Sequence, residues 1–215
     1  MARDRISQRP LSDLDLSRLA WCRTGSHVIF LDLERDRYFR LPREREEAFT
    51  ASLASDGRAS WHQPTTIPRP EGWCPPCRSS PARDNSDFRL GGVARALWVQ
   101  RRVEKMLASG GILTVLQELR RARTRCQSPR TDLSEQAQAM VRAFEQARLL
   151  RSAADRCLTR SIALAGCLAA TGDECYAVLG VTALPFSAHC WAQQGDTVLN
   201  DSFEEVLRYT PILVA

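Results

Sequence analysis

Lysine is nearly missing from this chain: of its 30 basic residues only Lys105 is a lysine, and histidine is held to His27, His62 and His189. The net charge of +5 is a weak surplus. It argues against a nucleic-acid binder, which needs a clustered basic patch interleaved with aromatics. No run of about 18 apolar residues occurs, which argues against a helical membrane span. The opening MARDRISQRPLSDLDLSRLAW is charged throughout and lacks the apolar core of a secretory signal, so the expectation is a cytoplasmic protein. No internal repeat is visible, and no GxxxxGKS or GxxxxGKT segment occurs, so no nucleotide site is assigned. A second CxxC or CxxH pair is also lacking. Cys74-Pro75-Pro76-Cys77 has the spacing of half a zinc site. Without its other half it reads as two loop cysteines, and no metal is assigned.

What is present is a chain of 215 residues, 44% apolar, enough for one generous domain or two small ones with a proper core. Its eight cysteines are expected to be mostly reduced thiols. Basic side chains gather over residues 93–130 (Arg95, Arg101, Arg102, Lys105, Arg120, Arg121, Arg123, Arg125 and Arg130). They read first as the solvated face of two helices, and second as a docking surface for an acidic partner.

HVIFLDL and DRYFRL alternate in the manner of two strands joined by a short charged turn. A helix is expected from Pro42, with acidic residues in its first turn. Residues 56–92 hold Pro64, Pro68, Pro70, Pro75, Pro76 and Pro81, and read as a loop-rich stretch whose later part contains a domain boundary. The expected division is 1–88 and 89–215. From Val93 the pattern turns helical, with one helix ending at Gly110-Gly111 and a second marked by Leu113, Leu116 and Leu119. A third has Asp132 and Glu135 as a capping box and Leu133, Ala137, Met140, Val141, Phe144 and Leu150 as its apolar positions. A fourth spans DRCLTRSIALAGCLAATG, capped by Asp155, stopped by Gly172, and buried along Leu158, Ile162, Leu164 or Ala165, and Leu168. YAVLGV, SAHCWAQQ and TVLND then supply three short strands. Helices followed by an antiparallel sheet make the fold class α+β.

The chemistry gathers at the C-terminal end. Neighbouring strand residues face opposite ways, so if His189 faces a cleft then Cys190 faces a core and is a poor nucleophile for it. Cys157 is better placed, because at a helix start the free N–H groups and the positive dipole end favour a thiolate. Cys167 falls in mid-helix and Cys175 at the start of a strand, while Cys22, Cys74, Cys77 and Cys126 lie outside this helix-plus-sheet unit. A carboxylate that fixes the imidazole completes such a pair, and Asp201 is the candidate. Pairing Gln193 with Thr197 across a three-residue loop would set His189 opposite Asp201 on one face. A two-residue loop would pair His189 with Ser202 and turn Asp201 away; the longer loop, or a bulge, is expected. The plainer alternative is a core histidine, a helix cysteine and a turn aspartate. His27 and His62 lie in the N-terminal region, so a Cys–His enzyme built on this unit must use His189.

These residues resemble the transglutaminase-like cysteine peptidases of lasso-peptide biosynthesis, often called B proteins. The resemblance rests on Cys157, Arg160-Ser161, Gly180-Val181, Phe186, His189, Trp191 and Asn200-Asp201 in order and spacing, and covers roughly the last 65 residues closely. HVIFLDLERDRYFRL followed by a helix resembles, less specifically, the winged-helix-like leader-recognition domain fused to many such peptidases; the proline density after Pro42 departs from it. The resemblance implies a transglutaminase-like or papain-like catalytic unit using Cys157, His189 and Asp201. It also implies a leader peptide added as a strand beside Arg37, Tyr38, Phe39, Arg40 and Leu41. The implied activity is removal of the leader from a ribosomally made lasso precursor, before a partner cyclase of asparagine-synthetase type closes the macrolactam. Family members have been linked to ATP during that maturation; no cofactor is assigned here. An acyl transferase of transglutaminase type and a non-catalytic peptide-binding scaffold are the alternatives the residues leave open.

Overall fold

Why the N-terminal segments pair as they do follows from alternation. The structure, a computed structural model, describes residues 17–55, 61–81, 88–125, 133–150 and 156–215. Strand β1 (Leu19–Thr24) was not foreseen; it pairs antiparallel with β2 (His27–Asp32), which pairs with β3 (Arg37–Phe39). Helix α1 (Arg43–Ser55) follows Pro42 with Glu44 and Glu46 in its first turn, as the sequence predicts. The short strand β4 (Trp61–His62) completes a sheet of order β3-β2-β1-β4, and β3 is one of its edges. One face of β1 and β2 packs Trp21, Val28 and Phe30 against Phe39, Leu41 and Leu53. The other face sends Ala20, Cys22, Ile29 and Leu31 into an apolar cluster shared with the C-terminal elements.

The proline-rich stretch contributes β5 (Arg78–Ser79), which joins the second sheet rather than the first. Helix α2 (Leu90–Thr124) runs through both expected helices and is broken at Gly111, whose φ of 68° and ψ of 179° are non-helical. Glycine takes that conformation without a Cβ clash. Helix α3 (Glu135–Leu150) is capped by Ser134, whose Oγ accepts the Ala137 N–H at 3.1 Å; the expected cap Asp132 lies outside the described residues. Ala137, Val141 and Phe144 are buried as expected, but Leu150 is exposed.

Helix α4 (Cys157–Ala170) is buried nearly all round, with ten buried residues of which Thr159, Arg160 and Ser161 are polar, as suits a helix at the centre of a fold. Asp155 lies outside the described residues; the N-cap position is Arg156, and its side chain makes no cap bond. Beside α4 lie β6 (Tyr176–Ala183), β7 (Phe186–Gln194), β8 (Thr197–Val198), the one-turn α5 (Phe203–Val206) and β9 (Thr210–Val214). The sheet order is β5-β8-β7-β6-β9, antiparallel except for β5 with β8. Neither α5 nor β9 was foreseen. The whole is an α+β fold, and among the described residues no helix is long and apolar enough to cross a membrane.

Candidate active site

Cys157 is the first residue of α4 and is half-buried. Arg156 at the N-cap makes no side-chain cap bond, and the first-turn Leu158 N–H hydrogen-bonds the Cys157 sulfur instead. His189 sits on β7 opposite Gly180 of β6. Its Nε2 lies 2.8 Å from Asp201 Oδ2, and the ring also hydrogen-bonds the Cys157 thiol. A carboxylate only accepts, so Nε2 carries the proton toward Asp201 and leaves Nδ1 for the sulfur. The structure therefore brings Cys157, His189 and Asp201 into one hydrogen-bonded line.

The charges in that line hold one another. Burial pushes His189 down, but hydrogen bonds to Asp201 and Cys157 outweigh it and raise the imidazole to about 9. Burial pushes the Cys157 thiol up. Against that act the His189 hydrogen bond and charge and the backbone N–H groups of Cys190 and Leu158, and the net shift is downward. Burial raises Asp201, while His189, the Ser202 N–H and Arg160 bring it below the usual carboxylate range. Such an arrangement can hold a thiolate–imidazolium pair near neutrality, and shifts of this kind gather at functional sites. Burial drives Cys22, Cys167, Cys175 and Cys190 upward, and a hydrogen bond to Asp196 raises Cys77. Cys190 is 2% exposed and faces the core, as strand alternation predicts.

Asp201 does not reach His189 through the expected three-residue loop. Gln193 pairs with Val198 and Gln194 with Thr197, so the β7–β8 turn is the tight two-residue one at Gly195-Asp196, with Gly195 at φ 52°. Continued in register, that ladder would turn Asp201 away. Instead the ladder ends one residue past β8, where the Leu199 N–H still donates to the Ala192 carbonyl at 2.8 Å, and the chain then leaves the sheet. The Asn200 side chain causes the departure: its Oδ1 accepts the Ala192 N–H at 2.7 Å, where a ladder carbonyl would otherwise sit. Its Nδ2 donates to Ser161 Oγ at 2.9 Å, and Ser161 donates to the Cys190 carbonyl at 2.8 Å. Buried Arg160 donates to the Asn200 carbonyl at 3.2 Å and lies 3.9 Å from Asp201. Two adjacent residues of α4 thus place the carboxylate. The sequence offered Asn200 as a signal, since asparagine competes for backbone bonds at strand ends.

Gly180 has a packing role. A Cβ there would meet Trp191 Cζ3 and Tyr209 Cβ, each at 2.8 Å. Both rings flank His189, with centroids at 6.3 Å and 5.0 Å. Replacing Gly180 by Ala is expected to cost about 1–3 kcal/mol by overpacking and to lower activity by displacing these rings. Thermal melts and activity on the same sample check both.

The five expected peptide-binding positions divide. Arg37 is exposed at the β3 edge. Tyr38 turns inward, its ring 5.5 Å from that of Phe186, and burial raises its phenol pKa. Phe39 and Leu41 are core residues, and Arg40 pairs with His27 and with Glu46. Among the described residues, what stays open on this strand is its outer backbone edge and Arg37. Among the basic block, Arg123 lies over the Tyr176 ring at 4.4 Å and Arg120 donates to the Thr66 carbonyl at 3.2 Å, so two of its members are structural. Arg130 lies outside the described residues. Among the described residues no group of three His, Cys, Asp or Glu is placed to hold a metal.

Residues 97–214 match the family model described as the transglutaminase-like superfamily, more than half of the chain, and the protein belongs to that superfamily. The superfamily includes cysteine peptidases and acyltransferases, which makes a cysteine-dependent enzyme the class to which this fold and site point. A search of curated proteins and a search of solved structures each returned no match.

Proposed function

We propose that this protein is a cysteine peptidase that removes the leader from a ribosomally made lasso-peptide precursor. The observation that carries a thiol acyl-transfer chemistry is the hydrogen-bonded line Cys157–His189–Asp201 at the start of α4. The choice of substrate rests on the sequence resemblance, supported by the outer edge of β3, which no other described strand shares.

In this reading His189 takes the thiol proton and Cys157 attacks the scissile carbonyl. The first-turn N–H groups of α4 are the natural donors to the oxyanion. Collapse breaks the C–N bond, and the His189 proton goes to the departing amine, which is the new N-terminus of the core peptide. Water, deprotonated by His189, then cleaves the thioester and releases the leader as a carboxylic acid. Asp201 orients the imidazole throughout. Residues 1–88 serve as the recognition part, binding the leader as a strand beside Arg37 to Leu41 and raising the local concentration of the cleavage site. Residues 89–215 serve as the peptidase. The freed amine passes to a partner cyclase, which joins it to an activated side-chain carboxylate.

Mass spectrometry of a candidate precursor incubated with the protein and its cyclase tests the reading. A free leader acid is expected together with either a linear core, the two summing to the precursor plus one water, or a closed core lighter by one water, the two summing to the precursor itself. A leader joined to an added amine instead would identify an acyl transferase, and an unchanged precursor would leave a binding scaffold.

A further inference from the structure

The proline-rich stretch builds one wall of a cavity beside His189. Trp61, Arg69 and Trp73 come from that stretch; Trp191, Leu207 and Tyr209 come from the superfamily match. Three of the five tryptophans of the chain meet there. Pro75 and Pro76 also line it, and proline's fixed φ suits a wall made without regular structure. Neighbouring backbone is tied down: Gln193 Nε2 donates to the Cys74 carbonyl at 2.7 Å, and the Cys77 N–H donates to the Asp196 carbonyl at 2.8 Å. The cavity measures about 280 Å³. That falls just below the roughly 300 Å³ at which small-molecule sites begin, and suits one or two side chains rather than a whole ligand.

Two features point to what enters. The Arg69 guanidinium lies 4.5 Å from each of the Trp61 and Trp73 ring centroids, and among the described residues it has no carboxylate partner. Both indole Nε1–H groups are buried without an acceptor among the described residues, a costly arrangement if packing were their only purpose. The lining is therefore aromatic and cationic, with no carboxylate among its residues.

Its place relative to the chemistry decides which half of a substrate it meets. Trp191 and Tyr209 contact the His189 ring and line the cavity. In the proposed reaction the acyl half stays on the Cys157 sulfur, and His189 gives its proton to the amine that leaves. The amine and the residues attached to it lie on the histidine side. Resting on that reading of the reaction, we infer that this cavity is the leaving-group subsite. It takes an apolar or aromatic side chain from the residues just after the scissile bond and pairs Arg69 with a carboxylate next to it.

Calorimetric titration of the full-length protein tests this without turnover, using four probes: Phe-Glu, Phe-Gln, Ala-Glu and Ala-Gln amides. Phe-Glu amide is expected to bind tightest, by roughly tenfold or more over Ala-Gln amide. Arg69→Gln should abolish the Glu–Gln difference and leave the Phe–Ala difference, while Trp73→Ala should abolish the latter. Arg69 is exposed, so its substitution reads binding rather than folding. Four amides that bind alike, or a preference that survives both substitutions, would overturn the subsite. Discrimination among the amides without Cys157-dependent cleavage would overturn the peptidase reading and this subsite's assignment to the leaving group, while the binding cavity itself would stand. Cleavage with no discrimination would overturn the subsite alone.

Discussion

Cys157→Ala is expected to abolish leader removal, by on the order of 10⁶-fold in kcat, the size of loss seen when the nucleophile of a catalytic triad is deleted. Leader binding should be unchanged, because β3 and its edge lie in the other sheet. The fold should also hold, since Cys157 is half-buried at a helix start and loses a single Sγ. The matching control is Cys190→Ala. That thiol faces the core, with burial holding its pKa well above the ordinary range, so the substitution should affect stability and leave cleavage in place. Precursor mass spectrometry and a leader-binding titration on the same two variants read all of these outcomes. Cleavage that persists in Cys157→Ala would remove the thiol from the reaction.

The second large effect concerns Asp201. Its carboxylate sits 2.8 Å from His189 Nε2 and is the first hydrogen bond raising the imidazole to about 9. The active pair is thiolate with imidazolium, so activity should rise on the acid side as Cys157 ionises and fall on the alkaline side as His189 loses its proton. These limbs belong to the coupled pair rather than to either group alone. Asp201→Ala removes the largest of the contacts that raise His189 and leaves that of Cys157, so the alkaline limb should move down in the direction of the ordinary imidazole value of 6.5. The rate should fall by on the order of 10⁴-fold, as when the orienting member of a triad is lost. Asp201→Asn keeps an oxygen that can accept the Nε2 proton and should recover part of the rate. A pH–rate profile of the three proteins checks the direction of the shift. An alkaline limb that stays in place in Asp201→Ala would show that the carboxylate does not hold the histidine.

Those two residues also show what the sequence made legible. The position of Cys157 followed from helix periodicity and from the excess of free N–H groups at a helix start. The opposite facing of His189 and Cys190 followed from the alternation of a strand. The approach of Asp201 did not follow, because the sheet register alone turns it away. It depends on Asn200 taking the Ala192 N–H from the ladder and on Ser161 and Arg160 receiving Asn200 from a helix some forty positions earlier. Those residues were visible as a pattern without a role. Strand β9 was missed because Pro211 sits within it, a residue tolerated there because β9 is an edge. Strand β1 was missed because its LAWCRT follows a charged opening that resembles no strand. The proline-rich stretch had no visible partner at all, since Cys77 bonds to Asp196 across 119 positions.

The central claim is that Cys157 is the activated thiol of this molecule, and alkylation measures it directly. Iodoacetamide applied across a pH series, with modified cysteines mapped by mass spectrometry, gives a reaction rate for each thiol. The account predicts that Cys157 is modified fastest near neutrality although Cys74 and Cys77 are more exposed. It also predicts that Cys157 titrates below the ordinary thiol value of 9, and that His189→Ala returns it toward that value. A Cys157 that reacts more slowly than Cys74 and Cys77, and that titrates as an ordinary thiol with or without His189, would contradict it.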